Sequence, residues 1–380
     1  MTSAPRDSAP ASDARRFPPE GHTSFATVPR VVAGGSYLSP LIEIFGNVAI
    51  ASGVFIASNT ILRADPDMRI CIGRATNLQV NIQLLALRNF PVPAVPEASC
   101  GLRSSAIAER VSIAHQATIR NSQIGPFTFI GFRALLENVV LEEGAFVLHG
   151  AIVRNVRIGK DRLVPVGAVV TTQEQADSLP KKSAKESAFQ EDVLSVNKEF
   201  AEEYAALYNA GGYDMVTKVG PAPRTSFNGG KWPTLGPNVE LLPFARIVGD
   251  VRIGGNSLVG RRSSIRADEG APIIIGERSV IRDRVTFHAL KGTRITIGRE
   301  LRTEANIVFH GPLEAGDRFT VGDDAIVYNA RVGDDVTIGN GSIVVGVTLR
   351  DGVIVPDNVI LQTQAEADAL KRGAGAARRP

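Results

Sequence analysis

The chain has 380 residues, more than one domain usually needs, and its 44% hydrophobic and 21% charged residues suit a folded rather than a disordered chain. A formal charge of +3 with no basic stripe interleaved with aromatics gives no case for nucleic acid as a partner, and no apolar run reaches the roughly 18 residues of a membrane span. Two cysteines, Cys71 and Cys100, exclude a disulfide framework and a cysteine-based zinc site; Cys71 is expected as a small packed residue.

Residues 1–32 form an Ala/Pro/Ser/Arg tail, expected to be disordered; it has no apolar h-region, so a cytoplasmic protein is expected. From 33 to 171 aliphatic residues recur every sixth position. Ile44, Ile50, Ile56 and Leu62 are followed by Ile72, Leu78 and Leu84, then by Ile107, Ile113 and Ile119. A period of six fits neither an amphipathic helix nor an alternating strand. It fits a triangular β-helix, in which each flat face is a short strand ending in a corner and three faces make a turn of about 18 residues. Residues 172–212 are charged, with Val193, Val196, Phe200, Tyr204 and Leu207 at helical spacing, which predicts a helix of about five turns packed on the outside of a β-helix. A Pro/Gly-rich linker is expected over 213–240. Over 241–363 the period of six returns: Ile247, Ile253, Val259 and Ile265, then Ile275, Ile281 and Phe287, then Ile297, Thr303 and Phe309. Seven of these lie 203 residues after their first-copy counterparts, so the chain is a tandem duplication. Residues 364–380 are expected to hold a short helix and a tail. The fold class is therefore an all-β solenoid: two tandem parallel β-helices of hexapeptide repeats with an intervening α-helix.

A β-helix alone does not specify a function. Residues that interrupt the aliphatic ladder are more informative. Arg266, His288 and His310 each follow an inward residue and are spaced 22 apart, one turn plus a short loop, so all three stack on one face. Two histidines on adjacent strands, about 4.8 Å apart, can share a metal.

The segments SIRADEGAPIIIGERSVIRDRVTFHAL and FHGP, with the later TQAEADAL and its first-copy counterpart TTQEQADSLP, resemble the γ-class carbonic anhydrases. That resemblance implies left-handed β-helices assembled as trimers, with zinc or iron between neighbours. It implies three histidine ligands, two from one helix and one from its neighbour. His288 and His310 match the pair; the third position is Ala305 in this copy. Glu269 matches the family's glutamate near the metal, and Arg282 stands where the family has a water-orienting glutamine. In the first copy Leu85, Arg120 and Pro66 replace the paired histidines and the glutamate, while His115 and Gln79 keep the third histidine and the glutamine.

The losses are complementary, and this predicts one composite site: His115 and Gln79 from the first copy facing His288, His310 and Glu269 from the second. The reciprocal face, with Leu85, Arg120 and Ala305, lacks the ligands. The reaction implied is metal-dependent hydration of carbon dioxide to bicarbonate, with Glu269 and Gln79 orienting water and handling a proton. The alternative is a non-catalytic scaffold or assembly module of the same family; an acyltransferase fits the DEG…HAL run poorly. Arg63 with Asp65, and Arg266 with Asp268, match the family's ion pairs between neighbours, so a homo-oligomer or hetero-oligomer through β-helix faces is expected. Asn197 is a candidate for a helix asparagine that reaches the site, and His149 is expected at the surface.

Overall fold

The structure is a computed structural model and describes residues 30–31, 35–93, 100–101 and 103–373. The tail expected over 1–32 lies outside these residues except for a two-residue strand, Arg30–Val31, and so does the tail from 374 onward.

Each copy is a left-handed parallel β-helix. The first has three sheets of seven short parallel strands. In register, Ile113 pairs with Ile130, Ile130 with Val147 and Val147 with Val164, so these turns are 17 residues long. The second copy has one seven-stranded sheet, while its other two faces merge into one sheet because Val308–Ala315 and Ile326–Val332 run continuously around a corner. The aliphatic ladder of period six fills both interiors: Ile50, Ile72 and Leu84 in the first core and Ile275, Phe287 and Phe309 in the second are at most 2% exposed. Stacked Val, Ile and Phe suit the pleated faces, and each buried side chain of this size contributes about 1.5–3 kcal/mol.

Helix α1 (Gln173–Ser178) closes the first β-helix and α3 (Gln364–Asp368) closes the second. Both start with a capping box, Thr172 with Gln175 and Thr363 with Glu366, and each inserts an alanine, Ala176 or Ala367, into the core above it. Between them lies α2 (Ala184–Thr217), started by a Ser183–Glu186 capping box and broken at Gly212, where φ is 75°. It is longer than the predicted five turns because its apolar stripe has two β-helices to cover. Val196, Phe200 and Tyr204 pack on Tyr37, Phe55 and Val80 of the first copy and on Val248 of the second. The stretch expected as a linker is also partly structured: Val219–Gly220 and Thr234–Leu235 join the second copy's sheets.

The copies lie side by side. Corner residues held at positive φ in the first copy reach across: Asn81 donates to Thr286 Oγ1, Gln116 to the Arg284 and Ile307 carbonyls, and Arg133 to the Asn306 carbonyl and Asp324. Below them Phe129, Phe132 and Phe146 pack against Val308, Ile326 and Ile343.

Two expectations fail. Cys71 is not a free packed thiol; it is disulfide-bonded to Cys100 across a separation of 29 residues. The long first-copy loop brings Cys100 back beside the strand that carries Cys71, which pairs with Ala106. His149 is not at the surface; it is 6% exposed, stacked on Phe132 with ring centroids 4.2 Å apart. The second copy covers it, and Tyr328 meets its ring edge-on.

Candidate metal centre

Register places Arg266, His288 and His310 on three successive strands of the second copy's face, as the 22-residue spacing predicts. His115 comes from a corner of the first copy that faces this ladder. One ring nitrogen from each of His115, His288 and His310 lies within 4.8 Å of the others, the single such group of His, Cys, Asp or Glu among the described residues. His115 Nε2 is 3.2 Å from His288 Nδ1. Nitrogens bound tetrahedrally to zinc at about 2.0–2.1 Å are about 3.3 Å apart, so the spacing suits a shared ion. All three residues are at most 3% exposed. Burial, reinforced for His115 by the other two histidines, holds the pKa values of His115 and His310 well below the usual imidazole range; burial also lowers that of His288. Neutral imidazoles are the form that ligates.

The surrounding groups orient the rings. His288 Nε2 lies 3.2 Å from both Asp268 Oδ1 and Glu269 Oε1, which leaves Nδ1 toward the centre. His310 Nδ1 contacts the Gly311 carbonyl at 3.1 Å. Carboxylate and carbonyl partners of this kind fix the tautomer of metal-ligating histidines. His115 is less well prepared: the Val80 N–H points at its Nδ1 from 3.3 Å. A ligating Nε2 needs its proton on Nδ1, so that contact must lengthen when a metal binds.

Asp268 organises this side. Burial would raise its carboxyl pKa, but Arg266 at 2.8 Å, together with donors from His288 and Tyr204, holds it well below the usual range. Among the described residues no arginine forms an ion pair with Glu269, whose Oε1 faces His288 Nε2. Burial and the Asp268 charge push it up to about 8, although the Lys291 N–H donates to it. Gln79 Oε1 accepts from Arg266 Nη1 at 3.3 Å, and its Nε2 donates to Asn197 Oδ1 at 2.7 Å; Asn197 is anchored by donation to the Val193 carbonyl. All the residues expected at the composite site are thus brought together, Asn197 included. Arg63 and Asp65 are not: they pair at 2.8 Å on an uncovered face, with the arginine side chain 49% exposed.

The chain is 33% identical over 157 residues to the carbonic anhydrase of Methanosarcina thermophila, an alignment covering 36% of this chain and 64% of that protein. It is 34% identical over 138 residues to the carboxysome assembly protein CcmM of Nostoc sp., covering 34% of this chain and 25% of the relative. A second CcmM, from Synechococcus elongatus, is 34% identical over 148 residues, 28% of its length. Over about a third of its length the chain is similar to γ-class carbonic anhydrases and to CcmM proteins. No family model matches it. It spans under two thirds of the carbonic anhydrase and about a quarter of each CcmM protein. A hexapeptide transferase family protein from Anaplasma phagocytophilum is a structural neighbour at 19% identity and TM-score 0.31, covering 46% of this chain and 92% of that one.

The donor set fits a zinc or iron ion: three neutral imidazoles, two with preset partners, at the end of a small cavity. That cavity holds about 50 Å³ of free volume, room for a few waters or one carbon dioxide, since a single water needs about 10–15 Å³. Phe129, Phe132, Phe189, Val193, Val196 and Leu290 make its walls largely apolar. The residues that sequence reasoning missed are on these walls. Phe132 stacks on His310 at 4.7 Å, and Tyr328 meets the same ring edge-on at 5.4 Å. Phe132 lies 17 residues after His115, one turn on, and that spacing was a usable signal. Tyr328 follows the inward Val327 and pairs in register with His310, 18 residues earlier, so the same ladder points to it; nothing in the repeat points to Phe189 on α2.

Proposed function

We propose that the protein catalyses the reversible hydration of carbon dioxide to bicarbonate at one metal site per chain, built between its two copies. The observation that carries this reading is the convergence of His115 from the first copy with His288 and His310 from the second. A bound zinc or iron would supply the Lewis acidity that makes water nucleophilic near neutral pH. The chain's own residues do the rest. His115, His288 and His310 hold the ion. Asp268 keeps the His288 ring oriented and is itself fixed by Arg266 and Tyr204. Glu269, raised to about 8, takes up or releases a proton at its carboxylate near neutral pH. Gln79 lines the cavity with Nε2 held by Asn197 and Oε1 by Arg266, and its second Nε2–H would orient the reacting water. The aromatic and aliphatic walls exclude bulk water and admit an apolar gas.

The test is metal content and carbon dioxide hydration for wild type and His115→Ala. About one ion per wild-type chain, lost with activity in the variant, supports the reading; wild type without metal after loading with zinc, or with iron under anaerobic conditions, refutes it.

A scaffold role is the second reading. The position equivalent to the histidine pair on the first copy's open face is closed by an Arg120–Glu137–Arg154 cluster, whose one carboxylate is taken by the two arginines, and two relatives are named for assembly. The roles combine if the open faces dock a further β-helix. The contact between the copies joins two different faces, and such an interface either closes a ring or propagates. Native mass spectrometry of the purified chain separates a monomer from an assembly. Among the described residues no helix is long and apolar enough to cross a membrane. A cytoplasmic location stays part of this proposal; the oxidation state of Cys71 and Cys100 in cells would test it, since the cytosol keeps most thiols reduced.

A further inference from the structure

Arg246 lies on the same face of the second copy as the metal ligands, beneath α2. It is 1% exposed. None of its Nε, Nη1 or Nη2 atoms has a hydrogen-bond partner among the described residues. Directly beside it in register is Ser264, 0% exposed, whose Oγ is also unpartnered. The guanidinium lies over the face of Tyr204, 5.0 Å from the ring centre.

Arg266, one strand further along, shows what a matched arginine looks like here. It is equally buried and packs under the same helix, yet its Nε donates to Asp268 at 2.8 Å and its Nη1 to Gln79 Oε1 at 3.3 Å, and only its Nη2 makes no hydrogen bond, 2.8 Å from the same carboxylate. Asp268 cannot also serve Arg246, because Arg266, His288 and the Tyr204 hydroxyl already engage it. A guanidinium does not escape by losing its proton. Its five donors call for acceptors, and a buried, unmatched charge costs more than one cation–π contact returns. Tyr37, on the first copy, senses the same charge: burial raises its hydroxyl pKa and Arg246 opposes the rise. The missing element is therefore a negative charge, at a place enclosed by both copies and α2.

We propose that Arg246 and Ser264 form a second site, distinct from the histidine centre, that binds a small monovalent inorganic anion between the two copies. The site offers an arginine fork and a hydroxyl, with no carboxylate free to oppose the ligand. With Arg246 and Ser264 at most 1% exposed, the ligand there would have to be small, of the size of chloride or bicarbonate. The site is also coupled to the metal side: Tyr204 covers Arg246 with its ring and donates its hydroxyl to Asp268, which orients His288. Anion binding would tie the copies together at the edge of the composite site and stabilise the chain by mass action.

The test uses the full-length chain in a buffer whose only anion is bulky and organic, at constant ionic strength. Raising chloride, or separately bicarbonate, from about 1 to about 100 mM should raise the wild-type melting temperature by several degrees. Arg246→Met, which keeps the stem and removes the charge, should melt at the same temperature throughout. His115→Ala should keep the wild-type response, which separates this site from an anion bound at the metal and from any failure of the carbonic anhydrase reading. A response to bicarbonate alone assigns the site to bicarbonate; a response to both assigns it to small anions generally. If Arg246→Met does not fold, bromide-soaked wild-type crystals decide: an anomalous peak within hydrogen-bond distance of Arg246 and Ser264 supports the site. An equal anion response in wild type and Arg246→Met, or no bromide peak, overturns it.

Discussion

The two copies carry the same Arg-x-Asp pair at equivalent positions, and the pairs do different work. Arg266–Asp268 is fully buried between the copies, where it fixes His288 and Gln79. Arg63–Asp65 has the same 2.8 Å contact on an open face, with half of the arginine side chain in water. Local sequence and local geometry are alike; the covering neighbour differs. An ion pair becomes a structural and electrostatic element when a second β-helix and α2 remove water from it. The same contrast separates the composite site from its reciprocal. One face was kept where it is covered, while Leu85, Arg120 and Ala305 stand where ligands would be needed on the uncovered faces.

This contrast can be broken experimentally. The largest effect is expected for Asp268→Ala, which leaves Arg266 buried and unmatched; denaturant unfolding should show a loss of about 3–5 kcal/mol, together with weakened metal binding at His288. Next is the loop clasp found only in the first copy. Replacing both Cys71 and Cys100 with serine should cost about 2–4 kcal/mol, and a reductant should lower wild-type stability toward that of the variant while leaving the variant unchanged.

A more gradual effect concerns pH. Burial lowers the His149 pKa from 6.5 to about 3, so the native state binds fewer protons than the unfolded chain between these values. The stability this confers is present above pH 6.5 and is lost as pH falls through the window, at about 1.4 kcal/mol per pH unit for one proton. His149→Gln, which keeps an acceptor for the Phe132 N–H, should flatten that acid limb by about one proton's slope. Glu269 acts in the opposite sense in metal-free protein: with its pKa raised from 4.5 to about 8, stability falls as pH rises between these values, and Glu269→Gln should remove that decline. The smallest effect is Asp65→Ala, expected to cost under about 1 kcal/mol in the isolated chain. A much larger loss, appearing only in an assembled form, would show that a partner covers the first copy's open face.

Much of the fold was legible because hexapeptide packing writes itself into the sequence. Ile44 through Leu62, and Ile247 through Ile265, must point inward once per face, so the period of six alone gives a triangular solenoid, its duplication and the stacking of Arg266, His288 and His310. The complementary losses also placed His115 opposite that ladder. Burial that depends on the other copy was not legible. His149 has no local pattern to distinguish it from a surface histidine, and it is buried because Phe132 and Tyr328 enclose it. Cys71 and Cys100 are 29 residues apart, and only the return of the long loop makes them neighbours.

By itself, then, the sequence determined the repeating unit, the inward ladder and the residues available to each face, because these follow from the periodicity of one chain folding on itself. Only the tertiary structure decided which face meets which. It joined His115 to His288 and His310, buried one Arg–Asp pair while leaving its twin in water, and left Arg246 without a partner. Those outcomes depend on the docking of two β-helices beneath α2, a contact between residues up to about 200 positions apart that no local pattern encodes.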